Sequence, residues 1–239
     1  MDYAVLSMPT LRLIAWNCHH GSIAARLEEL ASCAPAVVFL QECSPIVEPA
    51  SPSACVTRRV NVRKAIALGS LGTAYEVRRL RARRNRGQAV VAAAVSGPVS
   101  FTALGIWSRG PRYADDVMRT LEAYERLLRS GPAVVMGDLN SGTNLARDVT
   151  APSKGHARIV SALADLGLVS AYHAFHQIDH GREHHATYRH QRNPSKPWHI
   201  DFCFVPKGWK VVDVEVLDGK AWAARSDHLP LKVDVQVVQ

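Results

Sequence analysis

The stretch PAVVMGDLN, residues 132–140, decides the fold, because it is an apolar, β-branched run that ends on polar side chains. Such a run predicts a buried strand whose last residues reach the edge of a sheet. The segment before it, RYADDVMRTLEAYERLLR (112–129), has the apolar spacing of a helix packed on a sheet, at Val117, Leu121, Tyr124 and Leu128. A helix followed directly by a buried strand is typical of α/β proteins.

The same alternation recurs in the rest of the chain. LRLIAW (11–16) and APAVVFLQE (34–42) predict strands on either side of a helix capped by Ser22. A Pro- and Ser-rich stretch, 43–55, predicts an irregular loop. Further strands are expected near 64–69, 73–79, 88–95, 99–107, 198–206, 211–217 and 229–238. We expect the strand at 211–217 to pair with the strand at 198–206. A further helix is expected over 156–168. We therefore expect a layered α/β arrangement in one domain, residues 1–239, because no Gly/Ser linker divides the chain.

Composition and cysteine usage exclude several classes of protein. The 239 residues are 47% hydrophobic and 21% charged, which excludes a disordered or collagen-like chain. No window approaches the roughly 18 apolar residues of a membrane span, and the N-terminus lacks the features of a secretion signal. The 5 cysteines are an odd number and include no CxxC pair, which argues against both a disulfide framework and a structural zinc site. We expect a cytoplasmic protein.

The charge of the chain is strongly basic, with a net charge of +8. Its densest part is RRLRARRNR, which carries six arginines and no acid: Arg78, Arg79, Arg81, Arg83, Arg84 and Arg86. Guanidinium groups bind phosphate well, so nucleic acid or another phosphate is one expected partner of this run. The other interpretation is a solvated edge strand whose charge prevents aggregation.

Polar side chains stand where the predicted strands begin or end. They are Asn17, Gln41, Glu42, Asp138, Asn140, Ser226, Asp227 and His228. Asp201 instead lies inside an otherwise apolar predicted strand, where a buried carboxylate is costly unless it is paired. Each of the strand-end residues has an ordinary interpretation as a strand cap, a turn or a surface histidine. If the strand ends converge, however, four carboxylates share one cleft and need a cation, and their oxygens suit Mg²⁺ or Mn²⁺ rather than zinc.

These residues form an ordered set of motifs: AWN (15–17), QE (41–42), GDLN (137–140), HIDF (199–202) and SDH (226–228). The set resembles the endonuclease/exonuclease/phosphatase superfamily of DNase-I-like metal-dependent phosphoesterases, over nearly the whole chain. The resemblance implies a four-layered α/β sandwich, in which two mixed β-sheets lie face to face and are flanked by helices. It also implies a Mg²⁺-dependent (or Mn²⁺-dependent) hydrolase acting on phosphoester bonds.

The resemblance assigns metal binding to one end of this set. It makes Glu42 the principal metal ligand, with Asn17 and Asp227 nearby as ligands or through water. The remaining members would carry the proton transfers. Asp138 would take the proton of the attacking water.

The other catalytic roles implied by the family motifs concern orientation and phosphate binding. Asn140 would orient the water or a phosphate oxygen. His228 would bind the scissile phosphate or transfer a proton, with Asp201 bonded to its other ring nitrogen. Hydrolysis needs little more than an in-line water, a base and positive charge near the phosphate oxygens.

The chain departs from the family pattern in the strand FTALGIWSRG (101–110). Many members carry a histidine there that serves the phosphate or the leaving group, whereas this chain has Ile106 and Trp107. Trp107 is interpreted either as core or as an aromatic wall for the substrate. Tyr113 or Arg109 is expected to replace the missing imidazole.

Histidines are concentrated late in the chain, and 7 of the 11 lie between Tyr172 and His199. Their spacings match neither HExxH nor a zinc finger. A polar loop that charges below a pH of about 6.5 and a zinc site both stay open as interpretations. We also expect His184, His185 and Tyr188 to border the cleft, with His185 as a substrate contact.

Three functions fit these observations. The leading prediction is a metal-dependent nuclease acting on DNA or RNA. The alternative is a phosphatase or phosphodiesterase acting on an inositol phosphate, a nucleotide or a phospholipid headgroup. The third is a nucleic-acid-binding protein on a degenerate catalytic scaffold, which the intact carboxylate set disfavours because such a protein has no physical need for it.

Overall fold

Two six-stranded β-sheets form the centre of the molecule. The structure, a computed structural model, describes residues 10–45, 55–81, 89–145 and 155–237. The strands in these ranges are β1 (Thr10–Asn17), β2 (Val37–Cys43), β3 (Cys55–Arg59), β4 (Ala65–Ser70), β5 (Glu76–Arg79), β6 (Ala89–Ser96), β7 (Phe101–Trp107), β8 (Ala133–Asp138), β9 (Leu168–Ser170), β10 (Tyr188–Arg189), β11 (Pro197–Trp198), β12 (Asp201–Pro206), β13 (Trp209–Val216) and β14 (Leu231–Val237). The helices are α1 (Ile23–Leu30), α2 (Tyr113–Leu128), α3 (His156–Asp165), α4 (Ala171–His176) and α5 (Lys220–Ala223).

Both sheets are mixed. The first has the order β13-β14-β1-β2-β4-β3, and the second has the order β5-β6-β7-β8-β12-β9. The parallel pairs are β1–β2 and β7–β8, and each is joined through a helix because parallel neighbours need a crossover. The carboxyl ends of β1 and β2 therefore lie at the same edge of the first sheet, which brings Asn17 beside Gln41. In the second sheet β12 is antiparallel to β8, so its first residue, Asp201, lies beside Asp138 at the end of β8.

The sheets lie face to face, and helices cover their outer faces. Buried residues of both sheets, such as Leu13, Phe39 and Met136, share the core between them. Helix α1 packs on the outer face of the first sheet, while α2 and α3 pack on the outer face of the second. Ser22 caps α1 by accepting a hydrogen bond from the backbone N–H of Ala25 at 3.2 Å. The predicted four-layered α/β sandwich is confirmed.

Close packing between the sheets requires two glycines. A Cβ atom on Gly105 would lie 2.4 Å from the ring of Phe39. A Cβ atom on Gly137 would lie 2.2 Å from the carbonyl oxygen of Ile106, and Gly137 has a φ of 131°. The glycine of GDLN therefore lets the backbone of β8 approach its neighbours where the catalytic motif begins.

Several predicted elements differ from the structure. The predicted pairing of 211–217 with 198–206 is wrong, because β13 pairs with β14 in the first sheet while β12 pairs with β8 and β9 in the second. The chain crosses between sheets at Lys207 and Gly208, and alternation alone does not show which sheet a strand joins. Helix α3 ends at Asp165, and β9 follows it. Strand β3 and helix α4 have no counterpart in the sequence prediction, and residues 46–54 of the expected loop lie outside the described residues.

Candidate active site

The ends of β1, β2 and β8 meet at one edge of the sandwich. The Nδ2 atom of Asn17 lies 3.0 Å from Oε1 of Glu42 and 3.0 Å from Oδ2 of Asp138. Asn17 and Asp138 are buried, while Glu42 keeps 19% of its side chain exposed. One amide thus joins two of the predicted site residues across both sheets.

Two left-handed residues aim side chains into this edge. Glu42 has a φ of 62°, where β2 and β4 shift register between Leu40 and Cys43. Asn140 has a φ of 48° just after β8. Such backbone conformations cost about 1–3 kcal/mol in residues other than glycine and are concentrated at functional sites. The bulge in β2 turns Glu42 toward the other carboxylates.

Asp138 is held by amide groups on both sides. Its Oδ1 accepts a hydrogen bond from the backbone N–H of Asn140 at 2.8 Å, and its Oδ2 accepts one from Nδ2 of Asn140 at 3.0 Å. The same Nδ2 also donates to the carbonyl oxygen of Ser108 at 3.1 Å. Burial raises the pKa of Asp138 to about 7, although the charge of His228 opposes the shift. A carboxylate with that pKa accepts a proton readily near neutral pH.

His228 and Asp201 form a buried pair opposite Asp138. The Nδ1 atom of His228 lies 2.8 Å from Oδ2 of Asp201, and its Nε2 lies 3.8 Å from Oδ2 of Asp138. Burial alone would lower the pKa of His228, but the charges of Asp201 and Asp138 outweigh it and raise the pKa to about 9. The imidazolium is therefore the form present at neutral pH. The Oγ atom of Ser226 fixes the loop, since it accepts the backbone N–H of His228 at 3.0 Å.

Glu42 and Asp227 face a common position. The Nδ1 atom of His19 lies 4.0 Å from Oε2 of Glu42 and 3.8 Å from Oδ1 of Asp227. The ammonium of Lys64 also contacts Glu42. Burial would raise the pKa of Glu42, but hydrogen bonds from Lys64 and Asn17 hold it below its usual value. These oxygen donors are hard ligands that fit Mg²⁺ or Mn²⁺, and the ionised Glu42 keeps its charge available for such an ion.

His19 and Lys64 are site residues that sequence reasoning missed. His19 follows the AWN motif by two positions, and Lys64 directly precedes β4. Neither position stands at the end of a strand, so the search for polar strand ends passed over both. The structure also brings an acidic and histidine cluster together, since donor atoms of Asp138, Asp201 and His228 all lie within 4.8 Å of one another.

The surface beside the catalytic residues is an open cleft of about 890 Å³. Asn140 and Tyr113 lie at its catalytic end, and Tyr188, Lys196 and Trp198 line the rest. The ring of Tyr188 lies 4.5 Å from the ring of His228, measured between centroids. The cleft therefore reaches His228 through Tyr188, and aromatic and cationic side chains line it.

Trp107 and Arg109 are placed away from this cleft. Trp107 is 7% exposed and belongs to the core between the sheets. The guanidinium of Arg109 lies 4.8 Å from the centroid of its ring. This position fits the core interpretation of Trp107, and its role as a substrate wall stays a prediction. Tyr113 lines the cleft together with Asn140, whereas Arg109 is not among its lining residues, and which of the two replaces the missing imidazole stays a prediction.

The described part of the arginine run lies on β5 and just beyond it. Arg78 and Arg79 are exposed residues of β5, and Arg81 follows them. Since β5 is antiparallel to β6 and β6 is antiparallel to β7, the run leaves the sheet at the end that carries Ser108 and the catalytic residues. The other three arginines, Arg83, Arg84 and Arg86, lie outside the described residues.

A second basic segment, which the sequence analysis did not single out, lies at the same end. The turn between β3 and β4 presents the exposed side chains of Arg59 and Arg63 next to Lys64. His185, in contrast, binds Tyr172, whose hydroxyl lies 2.8 Å from its Nδ1. It lines a smaller recess of about 180 Å³ that shares Leu145 and Trp198 with the main cleft. Its predicted substrate contact stays a prediction.

The sequence matches the Endonuclease/Exonuclease/phosphatase family over residues 14–228, and the chain belongs to this family of phosphoester hydrolases. The match runs from β1 to the SDH motif, and it therefore includes every motif described above. No curated protein sequence is significantly similar to the chain. None of the helices in the described residues is long and apolar enough to cross a membrane.

Solved structures share the fold at low sequence identity. The human Nocturnin catalytic domain with bound sulfate is 16% identical with a TM-score of 0.68, covering 96% of this chain and 94% of that one. The 3'-5' exonuclease NExo from Neisseria meningitidis is 20% identical with a TM-score of 0.65, covering 93% and 98%. An AP endonuclease from Archaeoglobus fulgidus is 20% identical with a TM-score of 0.64, also covering 93% and 98%. A second structure of NExo from Neisseria, a variant described as a 3' phosphatase, is bound to a product DNA hairpin and has a TM-score of 0.67 at 20% identity.

Proposed function

We propose that this chain is a Mg²⁺- or Mn²⁺-dependent phosphodiester hydrolase that cleaves nucleic acid. The observation that carries the proposal is the convergence of six side chains at one sheet edge: Asn17, Glu42, Asp138, Asn140, Asp201 and His228. Folding stability gives no reason to gather three buried or half-buried carboxylates there, because burying charge costs free energy. Catalysis of phosphoester hydrolysis does give a reason to bring these carboxylates together.

The proposed mechanism assigns one task to each side chain. Asp138 takes the proton of the attacking water, and Asn140 orients that water. His228, charged and held by Asp201, donates its Nε2–H to a phosphate oxygen, where negative charge develops in the transition state. Glu42 would hold the ion, which supplies further positive charge to the phosphate.

Three residues complete the metal side and the leaving-group side of this proposal. Asn17 and Asp227 stand beside Glu42 as further ligands, either directly or through water. Tyr113 takes the place of the histidine that many relatives carry after the strand equivalent to β7. Its position in the cleft next to Asn140 supports this assignment.

The lining of the cleft favours nucleic acid over a small phosphorylated molecule. Tyr188 and Trp198 offer ring faces on which bases stack, and Lys196 adds a cation for the backbone. The basic turn of Arg59 and Arg63 and the arginine run of β5 extend positive charge at the same end. A polymeric anion contacts all of these groups at once, whereas a nucleotide or an inositol phosphate reaches only some of them.

A substrate panel with a matched pair of variants tests the proposal. Plasmid DNA, single-stranded DNA, RNA and phosphate monoesters are each incubated with Mg²⁺, Mn²⁺ or chelator. We expect metal-dependent cleavage of a nucleic acid, abolished in Glu42→Gln and retained in Glu122→Gln, which changes an exposed glutamate of α2. An undiminished rate in Glu42→Gln contradicts the metal assignment, and hydrolysis of monoesters alone favours the alternative of a small-molecule phosphatase.

Neutralising the arginine run separates the two substrate classes further. Replacing Arg78, Arg79, Arg81, Arg83, Arg84 and Arg86 with glutamine should weaken nucleic-acid binding at all sequences and make the affinity less dependent on salt. Turnover of a small substrate bound in the cleft should change little. Binding constants at several salt concentrations measure this difference, and an unchanged salt dependence contradicts a role for the run.

A further inference from the structure

A second cluster of metal-binding side chains lies outside the catalytic site. Donor atoms of His173, His180 and Glu183 all lie within 4.8 Å of one another, and Nε2 of His156 lies 3.3 Å from Nδ1 of His180. Three separate segments contribute: the start of α3, the helix α4, and the turn that follows it. The rings pack against Phe202, which faces the side of β12 opposite to Asp201, because side chains alternate along a strand.

We propose that His173, His180 and Glu183, with the adjacent His156, form a Zn²⁺ site on the outer face of the second sheet. Imidazole nitrogens favour zinc over the hard ions Mg²⁺ and Mn²⁺, and the carboxylate of Glu183 adds an oxygen ligand of a kind that zinc also accepts. The ion would fasten α3 and α4 to the segment 177–187, which leads to the main cleft.

Two pairs of donor atoms are spaced like the ligands of a tetrahedral ion. Nε2 of His173 lies 3.1 Å from Oε1 of Glu183, and the contact between His156 and His180 is 3.3 Å. With bonds of about 2.0–2.1 Å, ligand atoms of a tetrahedral zinc lie roughly 3.3 Å apart. The rings of His173 and His180 are stacked with centroids 3.5 Å apart, so binding requires the half-buried His180 to tilt out of the stack.

Neighbouring groups already orient two of the ligands. The Oγ atom of Ser170 lies 2.7 Å from Nδ1 of His173, and the backbone N–H of Gly181 donates to Oε1 of Glu183 at 2.9 Å. Partners of this kind fix the ring or carboxylate of a metal ligand. His156 is 1% exposed, and its Nε2 faces Nδ1 of His180, so this ring joins the cluster through His180.

The protonation state of the cluster suits a cation. Burial lowers the pKa of His156 to about 4 and that of His180 to about 3. Burial would raise the pKa of Glu183, but hydrogen bonds from His173 and from backbone N–H groups lower it to about 2. Neutral rings at His156 and His180 beside an ionised Glu183 are compatible with a cation at the position that the donor geometry defines.

Zinc titration of the metal-free protein tests the proposal without any activity assay. Chelator-treated protein is titrated with Zn²⁺ by calorimetry in excess Mg²⁺, and Co²⁺ is added separately to record the visible absorption of a tetrahedral site. We expect one zinc ion per chain, and we expect His180→Gln and Glu183→Gln to weaken binding by at least about 100-fold, since even partners of ligands cost 10–100-fold.

Two control variants locate the ion. His184→Gln changes a histidine of the same segment outside the cluster, and Glu42→Gln removes the proposed catalytic ligand; both should keep the wild-type affinity for zinc. Circular dichroism checks that each variant is folded, and the half-buried position of His180 favours folding of its variant. Absence of tight zinc binding, unchanged affinity in both cluster variants, or loss of binding only in Glu42→Gln overturns the proposal.

Discussion

The stability of this protein should depend on pH through the buried pair of His228 and Asp201. The pKa of His228 rises from 6.5 to about 9 on folding. A pKa difference of one unit corresponds to about 1.4 kcal/mol, so the protonated ring stabilises the fold by roughly 3 kcal/mol. Because the folded pKa is the higher one, this contribution is fully present below pH 6.5 and disappears as the pH rises through about 9. Asp138 affects stability over a lower pH range. Its pKa rises from 3.8 to about 7 on folding, so ionisation of the buried carboxyl lowers stability as the pH rises through that range.

Asp201→Asn removes the neighbour whose charge does most to keep His228 protonated. We expect the wild-type free energy of unfolding to fall more than that of the variant between roughly pH 6.5 and 9.5, by up to about 3 kcal/mol, since Asp138 and Asp227 still act on His228 in the variant. The variant itself should be less stable at pH 6.5, because removing one member of a buried pair costs about 3–5 kcal/mol.

Urea unfolding followed by tryptophan fluorescence in chelator measures both quantities. Asp213→Asn is the matched control, because Asp213 is 46% exposed and pairs with Lys232 at the surface. It should keep the wild-type pH dependence, which also corrects for the titration of surface lysines. Equal pH dependence in the wild type and in Asp201→Asn would refute the reasoning.

Two further predictions concern packing and cysteine chemistry. Gly137→Ala should lower the free energy of unfolding by about 3 kcal/mol or more, because the added Cβ would meet the ring of Phe39 and a carbonyl oxygen at a residue with a positive φ. Urea unfolding measures this loss. Wild-type stability in the variant would contradict the close approach. Burial raises the pKa of Cys18 and Cys203 to about 12 and raises that of Cys43 still further above its usual value. The three thiols should therefore resist alkylation at pH 8 in the native protein and react after unfolding. Mass spectrometry of the alkylated peptides measures this, and labelling of the native protein would contradict the prediction.

The sequence predicted the strands that carry the catalytic motifs because those strands are apolar and bounded by turn residues. β1, β2, β8 and α2 fall within three residues of their expected bounds. The prediction from sequence failed where two possible strand pairings have the same local pattern. The alternating segment 211–217 has the same period whether it pairs with β12 or with β14, and only the other strands of each sheet decide between them.

The site residues also divide into those that the local sequence pattern identifies and those that only tertiary contacts reveal. Glu42, Asp138 and His228 could be named because polar groups at the ends of buried strands are conspicuous in the sequence. His19 and Lys64 could not, because they reach Glu42 from a loop and from the start of a neighbouring strand. Their contribution depends on distances that no spacing along the chain encodes.

The histidine-rich segment shows most clearly which features the sequence determines and which the tertiary structure determines. The sequence by itself determined which side chains are available: an ordered set of carboxylates and amides, and a late group of histidines without any zinc-motif spacing. Tertiary structure alone decided that His156, from a different helix, joins His173, His180 and Glu183 on one face of β12, while Asp201 faces the other way. The physical reason is that a strand fixes only the alternation of its side chains, whereas the partners on each face come from segments far away in the chain.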